Sequence, residues 1–207
     1  MKYIFTAILI VIVLYLIFKH LLKQSKKPTG VVGNLMMKLW NNVYLPMAEW
    51  CLSFLDKKEY GNILDIGVGN GATTNYISNH FVCESVIGID ISKSAIEQAK
   101  IKNQNLNIKF EEKDIETTQY PSNNFDLICA FQNHFHWENL RGSFLEIRRI
   151  MSDGGVLLIG CEYSKIKYYL SDLSLEKDFR EYLGNLDLEL IQTRQNRGWI
   201  LYKIIKK

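Results

Sequence analysis

The chain has 207 residues, 47% of them hydrophobic and 23% charged, which is enough for one well-buried domain with an appendage and too short for two full catalytic domains. Its formal net charge of +3 is unevenly placed: residues 1–27 hold five lysines and no acid, which leaves 20 basic and 22 acidic groups in the rest. A surface that grips nucleic acid needs a surplus of cations for the phosphates, so this balance argues against a DNA or RNA partner.

The first predicted element is a membrane anchor over residues 1–23. Tyr3 to Phe18 reads as sixteen residues without a charge. At 1.5 Å per residue it covers roughly 24 Å, and Leu21 and Leu22 extend it to about 30 Å if Lys19 and His20 reach back toward headgroups. No polar face interrupts it, which sets it apart from an amphipathic core helix. The chain that follows, KHLLKQSKKPTG, offers no small-residue cleavage site of the kind a signal peptide needs. One lysine precedes the segment and four follow, so the remainder is expected on the cytoplasmic side of a single-pass membrane protein. Residues 24–34, with Pro28, Gly30 and Gly33, read as a linker.

Two helices are expected next, over Leu35–Asn42 and Pro46–Leu55, in a segment bounded at residues 35–58. From residue 59 to 207 short apolar strands alternate with helices. Strands are predicted at Asn62–Ile66, Ser85–Asp90, Ile108–Glu112, Phe125–Phe131 and Gly155–Cys161, with helices at Ala72–Asn79, Lys93–Asn103 and Leu140–Met151. That alternation implies an α/β domain, a parallel sheet with helices on both faces. The end differs: a helix over Leu175–Leu183 is followed by strands at Asp187–Gln195 and Trp199–Ile205. The short Asn196-Arg197-Gly198 turn between those strands requires an antiparallel pair. Cys51, Cys83, Cys129 and Cys161 form no C-x-x-C pair, so free thiols in a reducing compartment are expected and no metal site.

The densest chemical signal is Ile63-Leu-Asp65-Ile-Gly67-Val-Gly69-Asn-Gly71, a buried strand that ends in a glycine-rich turn and opens a helix. Glycines let a backbone approach a ligand where a side chain would collide, and in open α/β sheets ligands bind beyond the carboxyl ends of the strands. Asp90 lies nineteen residues after Gly71 at the end of the next strand, where its carboxylate can accept ribose hydroxyls. Asp114 follows the third strand and can accept from an adenine amine, with Ile91 and Ile115 placed to sandwich the ring. Gly67-x-Gly69-x-x-Ala72 also satisfies the dinucleotide pattern, so an NAD(P)-dependent reductase is the rival reading. Asp65 weighs against it: an acid two positions before the first glycine suits a ligand with an ammonium and a sulfonium and repels a pyrophosphate. Asp126, in Phe125-Asp126-Leu-Ile, reads as a structural residue at a strand entry.

From about Trp50 to Lys206 the chain resembles the class I S-adenosylmethionine (SAM)-dependent methyltransferases, close to the type-eleven methyltransferase domain. The resemblance rests on the D-x-G-x-G-x-G loop at Asp65–Gly71, on Asp90, on Asp114 before Pro121-Ser-Asn-Asn-Phe125-Asp126, and on the Met151-Ser-Asp-Gly-Gly155 turn. It implies a Rossmann-like seven-stranded, mostly parallel sheet with an antiparallel C-terminal hairpin. SAM is then the cofactor: Asp65 and Gly67, Gly69 and Gly71 meet its methionine end, Asp90 its ribose and Asp114 its adenine. Similar positions give Gln132 a cofactor contact, and the preceding helices would fold over the acceptor pocket, with Tyr44, Trp40 and Trp50 as candidates for that cover and core packing the preferred role of Trp50. Glu162, just after the fifth strand, would line it.

Methyl transfer is an in-line displacement that depends on orientation and exclusion of water, and a hydroxyl acceptor also needs a base. His136 and His134, in Ala130-Phe-Gln-Asn-His134-Phe-His136-Trp137, are the candidates, with packing as their competing role. The loop lacks the Asn/Asp-Pro-Pro-aromatic pattern often associated with methylation of amides or exocyclic base nitrogens. The sequence therefore predicts a membrane-tethered SAM-dependent methyltransferase acting on a small-molecule or lipid-soluble acceptor at the cytoplasmic membrane face. A SAM-binding membrane scaffold without turnover is the alternative from another class.

Overall fold

Runs of four to eight apolar residues, too short for core helices, become the strands of one sheet. The computed structural model describes residues 2–26, 33, 43–56 and 59–207. The elements are α1 (Lys2–Lys26), α2 (43–52), β1 (Glu59–Ile66), α3 (Ala72–His80), β2 (Val82–Asp90), α4 (Lys93–Lys102) and β3 (Ile108–Glu112). They continue with β4 (Phe125–Phe131), α5 (Leu140–Ile150), β5 (Met151–Glu162), α6 (Tyr163–Tyr169), α7 (Glu176–Gly184), β6 (Leu188–Asn196) and β7 (Trp199–Lys206). Short 3-10 turns form at Ile115–Thr117, His134–His136 and Ser171–Leu173.

The sheet has seven strands in the order β3-β2-β1-β4-β5-β7-β6. β1 pairs in parallel with both β2 and β4, and β7 runs antiparallel between β5 and β6. The mixed sheet with its antiparallel end agrees with the fold expected from the sequence. Strand order reverses between β1 and β4, and this is the place where an open α/β sheet leaves a crevice beyond its carboxyl ends.

Alternation along the strands sorts the core. Ile63, Leu127, Cys129, Leu158 and Leu201 pack with Met47, Cys51 and Leu52 of α2 and Ile77 of α3 on one face. Leu64, Ile66, Ile128, Ala130, Leu157, Ile159 and Tyr202 pack on the other against Phe144 and Ile147 of α5 and Phe179 and Leu183 of α7. α5 presents Ser143, Phe144, Ile147 and Ile150 as its buried stripe, the spacing of one helical face. Asn139 fixes its start by accepting the Gly142 N–H at 2.9 Å, and the Ser92 hydroxyl does the same for α4 from Ala95 N.

The structure differs from the sequence reading at several boundaries. α1 continues to Lys26, three residues into the expected linker. β1 and β2 each begin three residues early, at Glu59 and Val82. β5 begins at Met151 and absorbs the expected Met151–Gly155 turn, with Gly154 at φ +76° and a register shift against β4 between Phe125 and Leu127. A bulge that bends the strand without ending its pairing accounts for this. α6 was not expected. The helix expected over Leu35–Asn42 and the candidate Trp40 lie outside the described residues. Asp126 has the structural part expected of it: Oδ2 accepts from Gly61 N at 2.7 Å and Asn62 N at 3.3 Å, tying the base of β4 to β1.

One helix among the described residues is long and apolar enough to cross a membrane. Its span is Ile4–Leu21, 18 residues with a mean hydropathy of 2.5 and none of that span buried.

Candidate active site

The turn after β1 is held by β2. Gly67 N and Val68 N donate to Ile89 O at 2.7 and 3.2 Å, and Gly71 N returns to Val68 O at 2.9 Å. This tight path needs positive φ at Gly67, Gly69 and Gly71, at +69°, +55° and +81°. The three glycines serve different ends. A side chain at Gly67 would run into Asn133, with a Cβ 2.5 Å from Asn133 Nδ2, and one at Gly71 would run into Phe110 and Asn103. At Gly69 nothing lies within 4 Å, so this glycine alone faces open space. At Gly67 and Gly71 packing by itself already excludes a side chain.

Asp90 ends β2 and closes the turn. Its Oδ2 accepts from Gly69 N at 2.9 Å, and its Oδ1 accepts from Ser92 N at 2.8 Å. Asp65 lies beneath, 2% exposed, with Oδ2 accepting from Thr74 Oγ1 on α3 at 2.7 Å. Burial is the main cause that pushes the Asp65 carboxyl up to about 7; the charge of Asp90 adds to it and the Thr74 hydroxyl opposes it. Asn133 donates through Nδ2 to Ile66 O and Phe131 O, while its Oδ1 is buried with no partner among the described residues.

The stretch Asp65–Thr74 contains no Lys or Arg. A turn with two carboxylates, an orphaned amide acceptor and no cation suits a nucleotide carrying positive charge and does not suit a pyrophosphate.

Farther along the rim, Asp114 is exposed and caps the next 3-10 turn through Glu116 N at 3.0 Å. Ile91 is 45% exposed beside Asp90, whereas Ile115 is 3% exposed and belongs to the main core. The sequence treats the two as a pair; the fold gives them unequal access. Gln132 sits at the end of β4 with φ +58°. It locks to Glu162 twice, donating from Nε2 to Glu162 Oε2 and accepting Glu162 N at Oε1, both at 3.0 Å. Tyr44 on α2 meets this pair. Burial first and the Glu162 charge second raise its phenol above the ordinary value, and a hydrogen bond with Gln132 opposes them.

The two histidines separate. His134 is 1% exposed with Nδ1 lacking a partner among the described residues, and burial, with His136 beside it, pushes it down to about 3. Its ring packs near Phe135 and Trp137, so it stays neutral and reads as a packing group. His136 is half-buried with its ring centroid 4.9 Å from that of Tyr169. A cleft of about 540 Å³ lies at the other end of the sheet around Gly61, Asp126 and Gly154, away from all of these groups.

Sequence reasoning missed Thr74, Ser92 and Asn133. Only the run of polar residues directly after β4 hinted at the last.

Residues 64–159 match the family described as a methyltransferase domain. Phosphoethanolamine N-methyltransferase of Plasmodium falciparum is 30% identical over 156 residues, 73% of this chain and 56% of that protein. Malonyl-[acyl-carrier protein] O-methyltransferase 2 of Ilyobacter polytropus is 33% identical over 137 residues, 65% of this chain and 49% of that protein. The chain thus spans about half the length of these curated relatives. Among solved structures, an S-adenosylmethionine-dependent methyltransferase from Mesorhizobium loti has the same fold, with a TM-score of 0.65 at 16% identity over 76% of this chain and 97% of that one.

Proposed function

Because residues 64–159 carry a SAM-dependent methyltransferase domain, we propose that this chain methylates a small-molecule or lipid-soluble acceptor at the cytoplasmic face of a membrane. The observation that carries the reading is the Asp90–Gly69 bond across a turn in which Gly69 has open space beside it. When bound, SAM supplies an electrophilic methyl on a sulfonium. Asp90 and the Gly67–Gly71 backbone would hold the nucleoside and methionine ends, Asp65 would lend negative potential, and Asn133 Oδ1 would accept from the ammonium. Ile91, Ile115 and Asp114 would meet the adenine.

Gln132, Glu162 and His136 line the acceptor side. Gln132 is fixed by Glu162 and orients what it touches, and Tyr44 lies over the pair and excludes water. His136 takes the proton that a hydroxyl or amine acceptor gives up. His134, held neutral and buried, supports the loop.

A membrane-proximal acceptor is supported by the apolar span at Ile4–Leu21 and by the lysines that follow it. Among the relatives, one is named for a sterol and one for phosphoethanolamine. Neither the scaffold nor the reductase is favoured: the domain match is to a methyltransferase, and the turn's charge opposes a pyrophosphate.

The test is calorimetry on purified chain with S-adenosylhomocysteine and with NADPH, followed by transfer of label from methyl-labelled SAM into a membrane extract. Binding of the first nucleotide alone, with label in the extract, is the expected result. Heat from NADPH alone would restore the reductase, and label found only in soluble compounds would remove the membrane acceptor.

A further inference from the structure

The Glu162–Trp199 pairing brings the β6–β7 turn onto the same rim of the sheet as the glycine loop. Adjacent strands lie about 4.8 Å apart, so the rim advances roughly 10 Å from the end of β1 to the end of β5 and roughly 14 Å to the start of β7. A cleft of about 270 Å³ opens there, lined by Glu162, Tyr163, Lys167, Arg197 and Trp199.

The lining carries both signs of charge. Glu162 Oε2 accepts from Gln132 Nε2. Two exposed cations, Lys167 and Arg197, share the same lining, and no ion pair among the described residues involves either of them. The Lys167 side chain and the Arg197 backbone are each held by neighbouring groups. Lys167 Nζ lies over the Tyr163 ring, 4.5 Å from its centroid. Arg197 and Gly198 form a two-residue hairpin turn at φ +48° and +91°, and Tyr163 N donates to Gly198 O at 2.8 Å. That bond joins the turn to the first residue of α6, so the two cations stand on directly linked segments.

Building on the proposed cofactor site, we infer that this cleft is an acceptor subsite for a phosphate group a few bonds from the methyl-accepting atom. Two cations match the charge of a phosphate monoester, about −1.5 to −2 at neutral pH. Arg197 grips two of its oxygens and Lys167 acts as a point charge. The methyl-accepting atom lies toward Gln132 and Glu162. The cleft is smaller than the roughly 300–1,000 Å³ of sites that enclose a drug-sized ligand, so it takes a headgroup and leaves any tail outside.

The experiment uses the full chain in neutral detergent, titrated calorimetrically with inorganic phosphate at constant ionic strength against a chloride control. S-adenosylhomocysteine is titrated in the same samples. Phosphate binding weakened tenfold or more in Lys167→Ala/Arg197→Ala, partly kept in Arg197→Lys, with unchanged nucleotide affinity and melting temperature, is the expected outcome. Equal phosphate affinity in wild type and double variant, or no phosphate binding in the wild type, overturns the inference. Loss of nucleotide binding in the wild type would sink the cofactor reading while the phosphate result still decides this one. Phosphoethanolamine and dihexanoyl phosphatidate below its micellar concentration then compete with phosphate. Stronger competition by the first assigns a free metabolite, and by the second a lipid headgroup.

Discussion

Gly69 and Asp90 are 21 residues apart in sequence and joined by a 2.9 Å hydrogen bond from the glycine N–H to the carboxylate. The acid proposed to hold the ribose therefore also fixes the turn proposed to hold the methionine end. Asp90→Ala removes both at once and should weaken S-adenosylhomocysteine binding tenfold or more, about 1.4 kcal/mol, with Asp90→Asn in between because its amide oxygen still accepts. Calorimetry decides it, and unaltered affinity in the alanine variant would leave the cofactor site without its central residue.

Gly67 and Gly69 share a left-handed backbone and should respond differently to alanine. Both incur about 1–2 kcal/mol for positive φ. Gly67→Ala also drives a methyl into Asn133 and should lose roughly 1–3 kcal/mol more. Gly69→Ala meets no protein atom, so it should lose only that backbone share of stability, less than Gly67→Ala, and lose nucleotide affinity as well. Thermal unfolding and calorimetry on the two variants separate packing from ligand contact.

Asp65 should give the domain a pH dependence of its own. Its native pKa, raised to about 7, lies above the ordinary value of 3.8, so between these the folded state holds a proton that the unfolded state has released. Its contribution is present in full below about pH 4 and is lost as pH rises to about 7, so stability falls across that window. Asp65→Asn should flatten the slope of melting temperature against pH over the same range; an identical slope in the variant would contradict the burial argument.

The histidines should split stability from turnover. His134→Ala empties a buried site and should lower the melting temperature with a small effect on the methylation rate. His136→Ala should leave the melting temperature nearly unchanged and lower turnover by about a hundredfold, within the range of a lost general base. Label transfer into a membrane extract measures the rate, and equal losses in both variants would assign both to packing.

The proposed membrane insertion rests on the centre of α1. Ile12→Lys/Leu14→Lys places two charges there at about 3 kcal/mol each. The wild-type chain should stay with membranes through an alkaline carbonate wash, and the double variant should be released. Retention of both would mean that another surface holds the chain to the bilayer.

The sheet was legible because its signal is local. Ile63 and Leu64 are each 0% exposed on opposite faces, and a strand covered on both sides must read as a continuous apolar run. Asp65, Gly69 and Asp90 could be found because strand ends and turns concentrate in short motifs. Asn133 was hidden since its part depends on meeting Gly67 across two strands, a distance that no spacing in the chain records. Lys167 and Arg197 face one cleft because β7 folds back beside β5, and that convergence follows from sheet order. The seven-residue α6 carries no side-chain cap, so nothing marked its start.

Strand β7 lies inside the sheet although it is the last of the seven to be synthesised. At roughly 5–20 residues per second the ribosome needs about 2–7 s to pass from the end of β5 to the start of β7. Until β7 arrives, the edge of β5 that it covers lacks its partner strand. False pairing there would occupy the edge that later frames the cleft.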